Sequence, residues 1–169
     1  LRSILDRTLF VLGRAAAVAA PAGLVIWCLA NITLGDATLL AHLSGLLDPV
    51  GRFMGLDGVI LLAFILGLPA NEIVMPIIIM AYLQADSIVE MESLGALRQL
   101  FVANGWTVTT ALCTLLFSLL HWPCSTTLLT IRKEAGGWKW AALAALLPTA
   151  LGACLCAAIA ALSHALGWG

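Results

Sequence analysis

Residues 58–83 read GVILLAFILGLPANEIVMPIIIMAYL, two apolar runs separated by Leu68-Pro69-Ala70-Asn71-Glu72. Each run holds about ten residues, half of the roughly 20 an α-helix needs to cross the hydrocarbon core of a bilayer. Neither half spans alone. The stretch is therefore one crossing with a polar break, or a re-entrant hairpin whose tip lies at membrane depth. Non-helical backbone at that depth is tolerated only inside protein or beside a watery cavity.

Composition makes a membrane the natural setting. Of 169 residues, 62% are hydrophobic and 10% charged, against about 45–50% and about 25% in ordinary soluble domains. Mean hydropathy is +1.07. A soluble fold of this length could not hide so much apolar surface. The net charge of -1 offers no basic stripe, so no nucleic-acid partner is expected. The five cysteines, Cys28, Cys113, Cys124, Cys154 and Cys156, stand in apolar stretches. They read as small buried hydrophobes rather than a disulfide framework, with Cys124 set apart below. The chain starts at Leu1, shows no signal-peptide pattern and contains no GxxxxGK[ST] loop. It reads as one piece of a longer protein, with any nucleotide hydrolysis carried elsewhere. The chain itself is expected not to be an enzyme.

Three further apolar blocks surround the quoted one. A helix over 10–32 has Arg2, Arg7 and Arg14 near its start, and Arg14 reads as a residue snorkelling to the headgroups. A block over 106–131 is interrupted by His121-Trp122-Pro123-Cys124-Ser125, and an alanine-rich block runs over 138–163. In the last, small residues recur at Ala141, Ala145, Thr149, Ala153, Ala157 and Ala161, a spacing that lets helices approach closely in lipid. The connecting segments 35–57 and 84–105 are poor in Lys and Arg, whereas the loop after the third block has Arg132, Lys133 and Lys139. Lys and Arg favour the cytoplasmic side. That bias is satisfied when 58–83 is a re-entrant hairpin and both connecting segments are external. Trp27, Trp106 and Trp168 then form an outer belt, with Trp138 and Trp140 on the inner side. The expected architecture is all-α and integral to the membrane: three spanning helices plus one re-entrant helical hairpin.

The two interruptions are where chemistry is expected. Paired Gly/Pro-broken apolar segments point to a transporter site. In the first, Asn71 serves as a helix N-cap and Glu72 as a complement to the positive helix end, or both line an ion route with Pro69 at the tip. Met75 and Met80 read as packing. In the second, Pro123 explains the break, and Ser125, Thr126 or Thr127 can cap the helix that resumes. Cys124 sits at that N-terminus, where a thiol tends toward thiolate. Thiolate and imidazole suit a transition metal, which makes Cys124 and His121 candidate ligands beside Glu72. Packing plus a cap accounts for the same residues, and both readings stay open on spacing alone.

The runs LPANEIVMPIIIMAYL (68–83) and FSLLHWPCSTTLLTIRKEAGGWKWAALAALLPTALG (117–152) resemble the C-terminal membrane region of FeoB-type ferrous iron transporters, and FVLGRAAAVAAPAGLVIWCLAN (10–31) fits the helix before that family's second Gate motif. The resemblance implies a Gate-type half of an inverted-repeat transporter in the bacterial inner membrane, multi-pass, with Fe(II) as cargo and no resident cofactor. It implies partnership with a G domain and a first Gate repeat outside this chain, and is compatible with a homo-oligomer. The family's proline-cysteine motif maps onto Pro123 and Cys124. His121 and the LPANE segment vary within the family. Gate-type folds also resemble concentrative nucleoside transporters, so a nucleoside or another small organic solute is the alternative cargo.

Overall fold

The computed structural model describes the backbone of residues 2–85 and 93–167. The side chains of Arg2, Arg7 and Arg14 lie outside the described set, as do residues 86–92 with Asp86, Glu90 and Glu92, and Trp168. Among the described residues the fold is helical apart from one short β-hairpin.

Helix α1 (Arg2–Asn31) carries Pro21 internally and ends where Asn31 Nδ2 donates to the Trp27 carbonyl at 2.9 Å. Strands β1 (Thr33–Leu34) and β2 (Ala37–Thr38) pair antiparallel around Gly35-Asp36. Gly35 takes φ +71°, the left-handed conformation glycine supplies at such a turn. Thr38 then caps helix α2 (Leu39–Phe53), its Oγ1 accepting from the Ala41 amide at 3.2 Å. The connecting segment 35–57 is thus mostly helix. Its Asp and Arg residues resemble loop charge in sequence, but Asp48 and Arg52 lie one turn apart and pair at 2.5 Å.

Helix α3 (Gly58–Leu66) starts at Asp57, whose Oδ1 accepts from the Ile60 amide at 2.7 Å. Helices α2 and α3 meet at 108°, and the corner is tight. A Cβ on Gly58 would lie 1.9 Å from the Ser44 carbonyl oxygen, so only glycine allows the crossing. A 3-10 turn (Asn71–Ile73) leads into α4 (Val74–Leu83), which packs back on α3. This is the hairpin expected over 58–83. Its mouth is tied by Tyr82, whose hydroxyl donates to Asp57 Oδ2 and accepts from Trp106 Nε1.

Helix α5 (Leu94–Ala103), capped by Ser93, occupies most of the described part of 84–105. Its Phe101 stacks on Trp106 with ring centroids 4.2 Å apart. Trp106 is half-buried in this network, while Trp27, Trp138 and Trp140 are exposed.

Helix α6 (Val108–Leu120) and helix α7 (Ser125–Glu134) flank the second interruption. Helix α8 (Trp138–Leu166) includes Pro148 and packs on both. Its buried face is Ala141, Gly152, Cys156, Ala160 and Ser163. The expected stripe through Ala145, Thr149, Ala153, Ala157 and Ala161 lies on the flank of that contact instead. An alanine-rich helix offers two small-residue registers. Gly152 decides between them, because a Cβ there would stand 2.9 Å from Leu120 Cβ. The α6–α8 contact is closed by Cys113 and Cys156, each thiol directed at the other's carbonyl, and by Thr109 and Ser163 at 2.6 Å. All five cysteines are free.

Phe64, Phe117, Ile60, Ile77 and Ile78 are the fully buried large side chains of the core. Many leucines stay outside it, including Leu112, Leu115 and Leu119 on α6 and Leu143, Leu146, Leu147 and Leu151 on α8. Lipid is the solvent that accepts such surfaces. Among the described residues, Val108–Glu134 and Trp138–Leu166 are long and apolar enough to cross a membrane, with the bent α2–α3 pair as a third candidate. The described apolar part of α1, Ala20–Asn31, is shorter than a full crossing.

Candidate functional site

The last i→i−4 bond of α3 is made at Gly67, whose amide donates to Ala63 O at 2.8 Å, and Leu68 follows with an i→i−3 bond to Ile65 O at 3.3 Å. Gly67 is also cramped: a Cβ there would meet Val74 Cγ2 at 2.4 Å and Ala63 O at 3.0 Å. Pro69 then cannot donate to a helix ladder, and the chain turns through Ala70 N to Gly67 O at 3.0 Å and Ile73 N to Ala70 O at 3.2 Å. Asn71 and Glu72 are exposed on the 3-10 turn. The cap expected from Asn71 does not form: the preceding Ala70 occupies the cap position, without a side-chain hydrogen bond. Chain direction explains this. Asn71 is already inside the turn, one position past the cap. Met80 is buried as expected, and Met75 is partly exposed.

The second break is built differently. Helix α6 stops at His121, which adopts φ -75°, ψ 176°. Its ring Nδ1 lies 3.1 Å from Phe117 O, which also accepts the His121 amide at 2.8 Å, and 2.9 Å from Ser118 O in the last turn of α6. Two carbonyls at one ring nitrogen assign a hydrogen to Nδ1, so that in the neutral ring Nε2 is the acceptor. His121 is only 7% exposed and packs against Phe64 (4.9 Å), Phe117 (6.0 Å) and Trp122 (5.9 Å between ring centroids). Three buried polar atoms here have no partner: His121 Nε2, Trp122 Nε1 and Ser125 Oγ.

Helix α7 resumes with Cys124 at the cap position, φ -58°, ψ 156°. Its Sγ lies 3.2 Å from Thr127 Oγ1 and near the amides of Thr126 and Thr127, without closing a cap hydrogen bond. The cap expected from Ser125, Thr126 or Thr127 is absent for the same reason as at Asn71, since all three are already helical. Pro123, Ser125 and Thr126 are half-buried around the thiol.

One backbone hydrogen bond unites the two breaks. The Ser125 amide donates to the Leu68 carbonyl at 2.8 Å, so the hairpin tip sits on the N-terminus of α7. Glu72 is then close enough for its charge to act on the Cys124 thiol. Leu68, next to Pro69, thus meets Ser125, next to Cys124, while His121 packs into the aromatic cluster of Phe64, Phe117 and Trp122. Cys124, Glu72 and His121 do not converge as a three-ligand set: among the described residues no group of three His, Cys, Asp or Glu side chains could hold a metal ion. Two participants escaped the sequence reading. Trp122 stands in the HWPC run, but an indole is not a metal-ligand type and does not stand out beside His121 and Cys124. The Leu68 carbonyl carries no sequence signal at all.

The Gate family model, described as nucleoside recognition, matches residues 12–138. No curated protein and no solved structure matches the chain.

Proposed function

The chain belongs to the Gate family, described as nucleoside recognition, and from that premise we propose that it forms one half of a membrane solute path whose cargo is Fe(II). The observation that carries this reading is the junction of the two breaks, where the Ser125 amide meets the Leu68 carbonyl beside the Cys124 thiol. Broken helices meeting inside apolar blocks are the usual construction of a transporter site. The soft ligand at this junction is a thiol at a helix N-terminus, which favours a transition metal over Na⁺ or K⁺. Glu72, exposed at the tip, adds negative charge on the approach. A single thiol with hydroxyl and carbonyl neighbours suits transit, because a path needs contacts weak enough to release the ion. The remaining ligands would come from water and from the other half of the transporter. On this reading the protein resides in the bacterial inner membrane, the Arg132–Lys139 end faces the cytoplasm, and the chain performs no catalytic step. The G domain and first Gate repeat are its partners.

Fe(II) uptake by cells carrying the full-length protein tests the assignment. Cys124→Ser is expected to lower uptake by about tenfold or more, the scale of losing a metal contact, with membrane expression unchanged. Undiminished uptake would remove the thiol from the path.

A second reading rests on the unpartnered His121 Nε2, Trp122 Nε1 and Ser125 Oγ. An acceptor, a donor and a hydroxyl match a hydroxylated organic solute such as a nucleoside, in keeping with the family description. Binding of uridine and of Fe(II) to one purified preparation separates the two. Uridine binding lost in Trp122→Phe, with Fe(II) ignored, would favour the organic cargo.

A further inference from the structure

The turn between α7 and α8 lies at the far end of the path from the hairpin mouth, and the reading above does not use it. It joins the two stretches long and apolar enough to be full spans, α6–α7 (Val108–Glu134) and α8, so it stands where both leave the bilayer. Arg132, Lys133 and Lys139 are exposed there, opposed in the same stretch by Glu134 alone. The opposite ends of these two spans, residues 104–107 before α6 and 163–167 at the end of α8, hold no Lys or Arg.

These cations are not consumed by the fold. Among the described residues the salt bridge is Arg52–Asp48, and none of the three takes part in one. Arg132 is held in place by another device: its guanidinium sits over the Trp138 ring, 4.1 Å from the centroid, a cation–π contact that restricts an otherwise long and mobile side chain. The turn is closed by the Gly137 amide donating to Arg132 O at 3.0 Å. Helix α8 begins immediately after, without a side-chain cap, so its first amides also face this point. Below the charges, Trp138 and Trp140 are 60% and 57% exposed, followed along α8 by exposed Leu143, Leu146 and Leu147. Fixed cation at the end of α7, interfacial indoles at the start of α8 and an apolar ridge further along α8 thus follow one another.

We propose that the α7–α8 turn binds the headgroup of an anionic phospholipid, with Arg132, Lys133 and Lys139 on the phosphate and the leucine ridge of α8 along an acyl chain. A soluble phosphate would use the cations and amides alone. The apolar ridge directly beneath them favours the lipid. Basic residues at a membrane surface add attraction to anionic lipids charge by charge, and Trp rings settle at the same level.

The experiment uses the full-length protein, purified in mild detergent and stripped of lipid, titrated with phosphatidylglycerol, with phosphatidylcholine and with inorganic phosphate. Binding is read by native mass spectrometry and by thermal stabilisation. Phosphatidylglycerol is expected to bind at least about tenfold tighter than phosphatidylcholine, and each of Lys133→Gln and Lys139→Gln to weaken it about fivefold. Arg132→Lys keeps the charge but gives up the planar stacking on Trp138, and falls between the native protein and Arg132→Gln. These side chains are exposed, so circular dichroism of the variants should match the native protein. Equal affinity for the two lipids overturns the proposal, as does a preference that survives in R132Q/K133Q/K139Q. Displacement of phosphatidylglycerol by millimolar inorganic phosphate would replace the lipid with a soluble anion and overturn it too.

Discussion

The break at residues 67–73 and the break at residues 121–124 interrupt similar apolar helices, yet the first is exposed and held by its own backbone while the second is clamped among aromatic rings. At the tip, Asn71 and Glu72 reach outward and make no cap. At the second break, His121 holds two carbonyls of α6 and packs against Phe64, Phe117 and Trp122. Phe64 comes from the helix that leads to the first break, so the clamp on one break also positions the other. The difference separates two jobs. His121 anchors the second break in the core, whereas Asn71 and Glu72 at the first stay exposed, on the same side as the Cys124 thiol proposed to meet the cargo.

The largest expected effect follows from that division. His121→Ala empties the centre of the aromatic cluster and should destabilise the protein by about 2–4 kcal/mol, as large-to-small core changes do. His121→Phe should recover most of that stability, because it keeps the packing and removes a buried Nε2 that has no partner. Thermal unfolding in detergent checks both. If the alanine variant were as stable as the native protein, the second break would be no better anchored than the first.

Gly67→Ala comes next. Its backbone already has φ -74°, so the cost is steric rather than conformational: the new Cβ meets Val74 Cγ2 and Ala63 O. Overpacking of this kind costs about 1–3 kcal/mol, and unfolding midpoints would show it. The loss should fall on the hairpin, with α6 and α8 still protected from hydrogen exchange.

Much of this contrast is legible in the sequence. A proline and a carboxylate in the middle of 58–83, and a proline after His121, mark breaks because backbone chemistry at those residues is local. The hairpin and the long α8 follow from the same local signals. Three features were not readable, for separate physical reasons. Helix α2 hid behind Asp48, Arg52 and Asp57, whose charges suggest an open segment although two of them pair and the third caps α3. The α8 packing face slipped by one residue because alanine fills both registers, and only contact with Leu120 shows that Gly152 is the obligatory one. The Ser125–Leu68 hydrogen bond joins residues 57 apart in sequence through backbone atoms that every residue has. No side-chain pattern could announce it, and it is the bond that makes one site of two breaks.

Ser125→Pro isolates that bond. Proline is well accepted at the first position of a helix, and Cys124 already holds the extended conformation that a following proline requires. Helix α7 should therefore survive while the Leu68 carbonyl loses its donor, at a cost of about 1 kcal/mol. Ser125→Ala keeps the amide and removes a buried unpartnered hydroxyl, so its stability should equal or exceed the native value. A spin-label pair on α4 and α7 would report a longer or broader distance in the proline variant alone. Identical distributions would mean that packing, not this hydrogen bond, holds the tip to α7.

The smallest stability effect belongs to the tip, and there it is most informative. Asn71→Ala and Glu72→Gln alter exposed side chains that cap nothing, so each should change stability by less than about 0.5 kcal/mol. Transport should respond differently. If Glu72 supplies the negative charge on the approach to Cys124, Glu72→Gln lowers Fe(II) uptake while Glu72→Asp retains part of it, and raising ionic strength narrows the gap between native and Gln forms. An organic cargo held by hydrogen bonds would tolerate Glu72→Gln better than Asn71→Ala and show little salt dependence. A folded, fully active Glu72→Gln protein would leave the exposed break without a role in ion traffic, and the contrast between the two breaks would reduce to one of packing alone.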